Sequence, residues 1–235
     1  MCRSRSPVDG SVRLTWRGKG AAVAAAIVLG CTTTALAGSG GEAIELKPAD
    51  QAAARAAIVR RRDLRSKRWT GGPIKPDLTP SPTCRNYRPK QSDLILTGAA
   101  ESNFRQSLLH SIDSGAKILR TARMVRIDWR REHLAPGVLS CQRRLLRASF
   151  GPSARVTSFV SVPFPRIAPY VAEYRGVVEL PVSAGKRARF VVDFVFVSRR
   201  RSELSVGSLA PFAQRSKVAA EERRLIRIML RRAKA

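Results

Sequence analysis

Two long strands joined by a tight turn dominate what this chain can become. Both lie in YVAEYRGVVELPVSAGKRARFVVDFVFVSRRR, from Tyr170 to Arg201. In the first strand the even positions Tyr170, Ala172, Tyr174, Val178, Leu180 and Val182 are small or apolar, while the odd positions include Glu173, Arg175 and Glu179. That is the period of a half-buried strand. After the turn signal Ser183-Ala184-Gly185-Lys186, Phe190, Val192, Phe194 and Phe196 alternate with Val191, Asp193, Val195 and Val197. A strand apolar on nearly both faces belongs at the centre of a sheet. Asp193 is the acid out of place there. It either pairs with a buried arginine or faces solvent, and solvent is the expected location, because a buried unpaired carboxylate is strongly destabilising.

Around this pair, the patterns predict strands at 94–102, 116–120, 155–162, 170–182, 189–198 and 203–207. Helices are expected at 50–65, 121–134, 138–148 and 211–232. Asp50 is the expected N-cap of the first helix. In the second, Met124, Val125 and Trp129 fall toward one side and Arg123, Arg126 and Arg130 away from it, so the helix should pack by its Trp129 side. Pro163 and Pro165 interrupt the 155–162 strand and place it near a sheet edge. Trp69 to Arg88 is dense in Gly and Pro and reads as a loop or linker. Pro211 should lie in the first turn of the last helix. There Val218, Leu225, Ile228 and Met229 share one side and Arg223, Arg224, Arg227 and Arg231 the other. The fold class is α+β, an antiparallel sheet covered by helices on one face.

Residues 1–37 have the form of a signal peptide: a basic flank, the apolar run Ala21 to Leu29, and Ala35-Leu36-Ala37 before the cleavage point. Cleavage there makes Gly38 the mature N-terminus. Lipidation at Cys31, in the lipobox-like Val28-Leu29-Gly30-Cys31, is an alternative, and a retained membrane anchor is a third. Residues 38–92 read as a helical and Pro/Gly-rich extension, and 93–235 as the α+β domain. The expected location is secreted or extracytoplasmic. A cleaved chain keeps just Cys84 and Cys141, and in an oxidising compartment these form a disulfide. Closing that loop stabilises the fold by roughly 4 kcal/mol in the chain-entropy picture.

The formal charge is +27; five of the 44 basic residues and one of the 17 acidic residues precede residue 38, which leaves +23 on the mature chain. Such a balance bears on polyanion association and encounter rates, not on fold. The candidate partners are anionic wall polymer or lipid, with nucleic acid disfavoured, because most Phe and Tyr positions read as core rather than as exposed stacking platforms. Arg223, Arg224, Arg227 and Arg231 are the candidate anion-binding residues. An arginine-rich composition without a ligand, the surface merely solvated, is the competing reading.

Nothing points to catalysis. His110 and His133 stand outside any metal-binding spacing, no nucleophile elbow or phosphate-binding loop occurs, and the expectation is no catalytic, cofactor-binding or metal residues and no cofactor. His133 is expected at the surface or partly packed.

The WTGG loop, the DLILTG strand, RTARMVRIDWRR and AAEERRLIRIML together resemble uncharacterised secreted proteins of actinobacteria, and through them extracytoplasmic sensor-like and PsbP-like domains. The resemblance covers Asp93 to the C-terminus and implies an antiparallel sheet covered by helices, with no catalytic motif. The function expected is an exported, non-enzymatic cell-envelope protein, a binding or sensor-like module with a basic surface. The alternatives are a secreted hydrolase with a site assembled from scattered polar residues, and a general polyanion or nucleic-acid binder. A deep pocket where His and carboxylates converge would favour the hydrolase.

Overall fold

A computed structural model describes residues 41–183 and 185–233. The leader, with its cleavage point and Cys31, lies outside the described residues. Eight strands form one sheet: Ala43–Ile44 (β1), Thr70–Ile74 (β2), Ile95–Ser107 (β3), His110–Leu119 (β4), Arg155–Ser161 (β5), Tyr170–Ser183 (β6), Lys186–Arg199 (β7) and Ser202–Pro211 (β8). The order across the sheet is β1-β3-β4-β8-β7-β6-β5, with β2 also on β3. Every pairing is antiparallel except β1 with β3. The helices are Pro48–Ala57 (α1), Ala122–His133 (α2), Val138–Phe150 (α3) and Arg215–Arg232 (α4). This is the α+β class.

The β6–β7 hairpin is the centre the sequence implies. β7 pairs along its length with β6 on one side and β8 on the other, and Val191, Val192, Val195 and Val197 are wholly buried. Its two faces meet different partners. The odd face, with Val195 and Val197, packs with Phe104, Ile112, Leu204 and Val206 under α1 and α4, which supply Ala54, Ala57, Leu225, Ile226 and Met229. The even face, with Phe190 and Val192, packs with Tyr174, Val178 and Leu209 against Leu146 of α3. His133 of α2 meets Phe196 and Tyr174 on that same side. Helices thus cover both faces, where one was expected; a central strand apolar on two sides needs two covers.

Several boundaries differ from expectation for local reasons. Thr70–Ile74 is a strand, not a loop, and sits at an edge of the sheet where Pro73 can be tolerated. Gly71 permits it: φ is +116°, and a Cβ there would lie 2.2 Å from the Asn103 carbonyl oxygen. Because β1, α1 and β2 all join the sheet or its core, the expected extension of residues 38–92 is integral to the domain from residue 43 onward. β4 begins at His110 rather than Ala116, its early polar positions paired with β3. α1 ends at Ala57 because Ile58 turns extended and Ile58 and Val59 bury, Val59 N donating to Ser114 Oγ at 3.0 Å. Lys47, not Asp50, is its N-cap; Asp50 lies in the first turn, paired with Arg201. β8 runs through Pro211, so α4 starts at Arg215 and Pro211 precedes it.

Cys84 and Cys141 are bonded, their Cα atoms 5.7 Å apart. The bridge ties the loop after β2 to α3, with Tyr87 and Val138 packed around it. Among the described residues no helix is long and apolar enough to cross a membrane.

Candidate functional site

α2 lies across the even face of the sheet with a division of charge along its length. Thr121 caps it, its hydroxyl accepting from Met124 N at 3.2 Å. Arg123, Arg126 and Arg130 point to solvent, whereas Val125, Asp128 and Trp129 are buried against the sheet. The helix therefore faces its acids inward. Beneath it, the strand period of two brings Glu101 from β3, Gly115 and Lys117 from β4, Glu203 and Ser205 from β8, and Phe196 and Ser198 from β7 onto one face, with Lys117 opposite Glu203 and Gly115 opposite Ser205. Gly115 and Ser205 take little space. A cavity of about 120 Å³ remains between helix and sheet, lined also by Asp77, Asp128, Trp129, Glu132 and His133.

Charge in this cavity runs opposite to the charge of the chain. Five of the 17 acidic residues, Asp77, Glu101, Asp128, Glu132 and Glu203, line it, against the single cation Lys117. Glu42 adds a sixth carboxylate, 3.2 Å from Lys117 Nζ. Burial works against the Lys117 ammonium, but the charges of Glu42, Glu132, Glu203 and Asp128 outweigh it and raise its pKa. Burial, then the neighbouring Glu132 charge, pushes Asp128 up to about 7, with Lys117 pulling the other way. Burial and the Asp128 charge lift Glu203 well above the carboxylate range. Between them these two carboxyls hold a proton at neutral pH. Asp128 Oδ1 is buried without a hydrogen-bond partner among the described residues.

The surrounding groups are held in place. Gln91, 2% exposed, donates to Glu132 Oε1 and to Ser81 Oγ, both at 2.9 Å, and Ser81 also bonds Glu132. Asp77 N donates to Glu101 Oε1 at 3.2 Å. His133 is partly packed, as expected: Nδ1 lies 3.3 Å from the Tyr174 hydroxyl, and its ring lies among Trp129, Phe196 and Tyr174. Burial depresses its pKa to about 3, so the ring is neutral and already bonded.

A second polar cluster sits on the opposite face, under α4. Asp193, expected toward solvent, is fully buried and takes a bidentate pair from Arg175 at 2.8 and 2.7 Å. The same guanidinium reaches Glu173 at 3.0 Å, and Ser208 Oγ donates to Glu222 at 2.5 Å. The ligand atoms of Glu173, Asp193 and Glu222 lie within 4.8 Å of one another, a spacing that could hold a metal ion. Here Arg175 is the counter-ion. Even so, burial raises Glu173 to about 7 and Glu222 well above the carboxylate range.

The four arginines singled out on α4 do not act alike. Arg223, Arg227 and Arg231 are exposed. Arg224 is partly buried, its guanidinium donating to the Asp63 carbonyl and paired with Glu221. The buried side of α4 carries Val218, Ala219, Glu222, Leu225, Ile226, Met229 and Leu230, so the stripe is turned toward Ile226 and Ile228 lies at its border.

No protein-family model matches this chain, and no curated protein matches it either. Among solved structures it is similar to the extracellular domain of PknH from Mycobacterium tuberculosis, with 10% identity and a TM-score of 0.43, over 79% of this chain and 98% of that one.

Proposed function

We propose that this protein is an exported, non-enzymatic binding module of the cell envelope, sensor-like, with its ligand site in the cavity beneath α2. One observation carries the reading. In a chain of net charge +27, five acids and, among the described residues, a single lysine line one small cavity, and a buried Asp128 oxygen in it has no partner among those residues. Buried polar groups are normally satisfied, and an unsatisfied one in a cavity large enough for several waters or a small molecule marks a place for a ligand. The exposed Arg223, Arg227 and Arg231 would hold the module to an anionic wall polymer or lipid. The leader pattern and the Cys84–Cys141 bond support an oxidising, extracytoplasmic location.

A thermal-shift screen of small cations, neutral polyols and small anions tests this reading. Ligands of the site should raise the melting temperature of the native protein and fail to do so for Asp128→Asn. If every hit stabilises both proteins equally, the site lies elsewhere.

The hydrolase alternative draws on the proton shared by Asp128 and Glu203, the arrangement of an acid–base pair. Against it, His133 is neutral and engaged by Tyr174. Turnover of chromogenic ester, glycoside or peptide substrates that disappears in both Asp128→Asn and Glu203→Gln would establish an enzyme in place of a binding module.

A further inference from the structure

We propose that the cavity beneath α2 takes the ammonium or guanidinium head of a small organic cation, seated between the Asp128, Glu132 and Glu203 carboxylates and the Trp129 and Phe196 rings. This deepens the binding reading above and rests on it.

Three features select the ligand class. The first is the sign of the charge. Lys117 is the one cation in the lining, it already has Glu42 at 3.2 Å, and the other charged lining groups are all acids. An anion entering would meet uncompensated carboxylates. The second is the orphaned acceptor. Asp128 is 3% exposed, lines the cavity, and its Oδ1 lacks a donor; an N–H donor supplies what is missing, and a charged donor makes the stronger bond. The third separates an organic cation from a metal ion. Among the described residues, the only acids whose ligand atoms lie within 4.8 Å of one another are Glu173, Asp193 and Glu222, on the far face of the sheet. The acids of this cavity are spread around its walls, too widely for one ion to draw three carboxylates together and suitably for a head group with several N–H donors. The aromatic walls agree with this. Trp129 and Phe196 offer ring surface to a weakly hydrated cation, as in cation–π recognition.

Binding has a proton consequence. In the free protein Asp128 and Glu203 hold a proton against the surrounding charges of Glu132, Glu42, Glu101 and Asp77, with Lys117 on the other side and His133 neutral beside them. An arriving cation replaces that proton as the compensating charge, and the proton leaves to the buffer. Affinity should therefore rise with pH between about 6 and 8, and near pH 6 each binding event should release a fraction of a proton.

The test is isothermal titration of the exported protein with methylguanidinium, ethanolamine and methylammonium chlorides, with glucose and sodium acetate at matched ionic strength as comparison. Titrations in two buffers of different ionisation enthalpy count the protons. At least one cation should bind and release protons at pH 6; Asp128→Asn should weaken it tenfold or more and abolish the release. Arg147→Ala, exposed on α3 and outside the cavity, should leave both unchanged. Glu203→Gln is a second variant that keeps shape while removing a charge, and it should weaken cation binding too. If the cations give no saturable heat, or bind Asp128→Asn as well as native protein, the cation proposal falls. Should glucose or acetate bind in an Asp128-dependent way while the cations do not, the site survives and its ligand class is wrong. If nothing binds and the Asp128→Asn protein behaves as native toward every probe, the proposal and the binding site fall together.

Discussion

Replacing Arg175 by Met should unfold this protein more readily than any substitution on its surface, and by an amount that depends on pH. Arg175 holds Asp193, a fully buried group on the central strand, with two bonds, and it also holds Glu173, 2% exposed, at 3.0 Å. Its removal leaves those two carboxylates and Glu222 crowded in the interior without the guanidinium that binds two of them. Breaking one partner out of a buried pair costs about 3–5 kcal/mol. In a domain of this size each kcal/mol moves the melting temperature by about 2–4 °C, so the expected fall is roughly 6–20 °C at pH 8. At pH 5.5 it should be smaller. Glu173, near 7 even with Arg175 in place, is then protonated, the form that burial favours for Glu222 too, and can donate to Asp193. Circular-dichroism melts of native and Arg175→Met protein at both pH values give the four numbers. Arg120→Met is the control: its pair with Glu45 is 40% and 49% exposed on the two sides, and should matter by less than about 1 kcal/mol. A fall under about 2 °C at pH 8, or an equal fall at both pH values, would refute the reasoning.

Three further outcomes follow from the same structure. Replacing Cys84 and Cys141 by Ser opens a loop of sequence separation 57 and should lower stability by roughly 4 kcal/mol in denaturant melts; a change under about 1 kcal/mol would contradict this. Stability should fall as pH rises from about 6 to 8, since Glu173 and Asp128 are raised to about 7 in the folded state; a raised acid stabilises fully below its unfolded pKa, and that stabilisation is lost as pH climbs through the folded one. His133, depressed to about 3 by burial, acts with the opposite sign between about 3 and 6.5, but the two acids outweigh it above about pH 4, so the melting temperature should fall steadily from pH 5 to 8, and a rise over that span would be inconsistent. Changing the exposed Arg223, Arg227 and Arg231 to Gln should weaken binding to anionic vesicles or wall polymer, with steep salt dependence and little change in melting temperature. Arg224→Gln should instead lower the melting temperature, through loss of its Asp63 and Glu221 contacts.

The parts of the fold legible in the sequence are those where period and burial coincide. The β6–β7 hairpin, the Trp129 side of α2, the edge position of β5 and the Cys84–Cys141 bond all followed from local pattern or elimination. β2 did not, because Gly71, Gly72 and Pro73 deny a strand signature, and only the close approach to Asn103 explains why glycine is required there. Asp193 was misplaced because strand alternation gives the face but not what covers it; α4 closes that face and Arg175 makes the burial tolerable. The cavity was missed for a similar reason. Its acids come from α2, β3, β8 and the loop after β2, and together they match no ligand-binding motif in the sequence. Two signals were nonetheless present. In RIDWRREH the acids Asp128 and Glu132 sit four apart beside the inward Trp129 while the arginines point away, and in SELSVGS the alternate positions Glu203, Ser205 and Gly207 share one polar, small-residue face.

The most direct measurement of the central claim is a carboxyl-carbon NMR titration of protein labelled at Asp and Glu, assigned through Asp128→Asn and Glu203→Gln. The free protein should show Asp128 titrating near 7, and saturating methylguanidinium should move that titration to lower pH while leaving Glu173 unmoved on the far face of the sheet. An Asp128 that titrates at the ordinary aspartate value, or one that no small ligand displaces, would contradict a ligand site beneath α2.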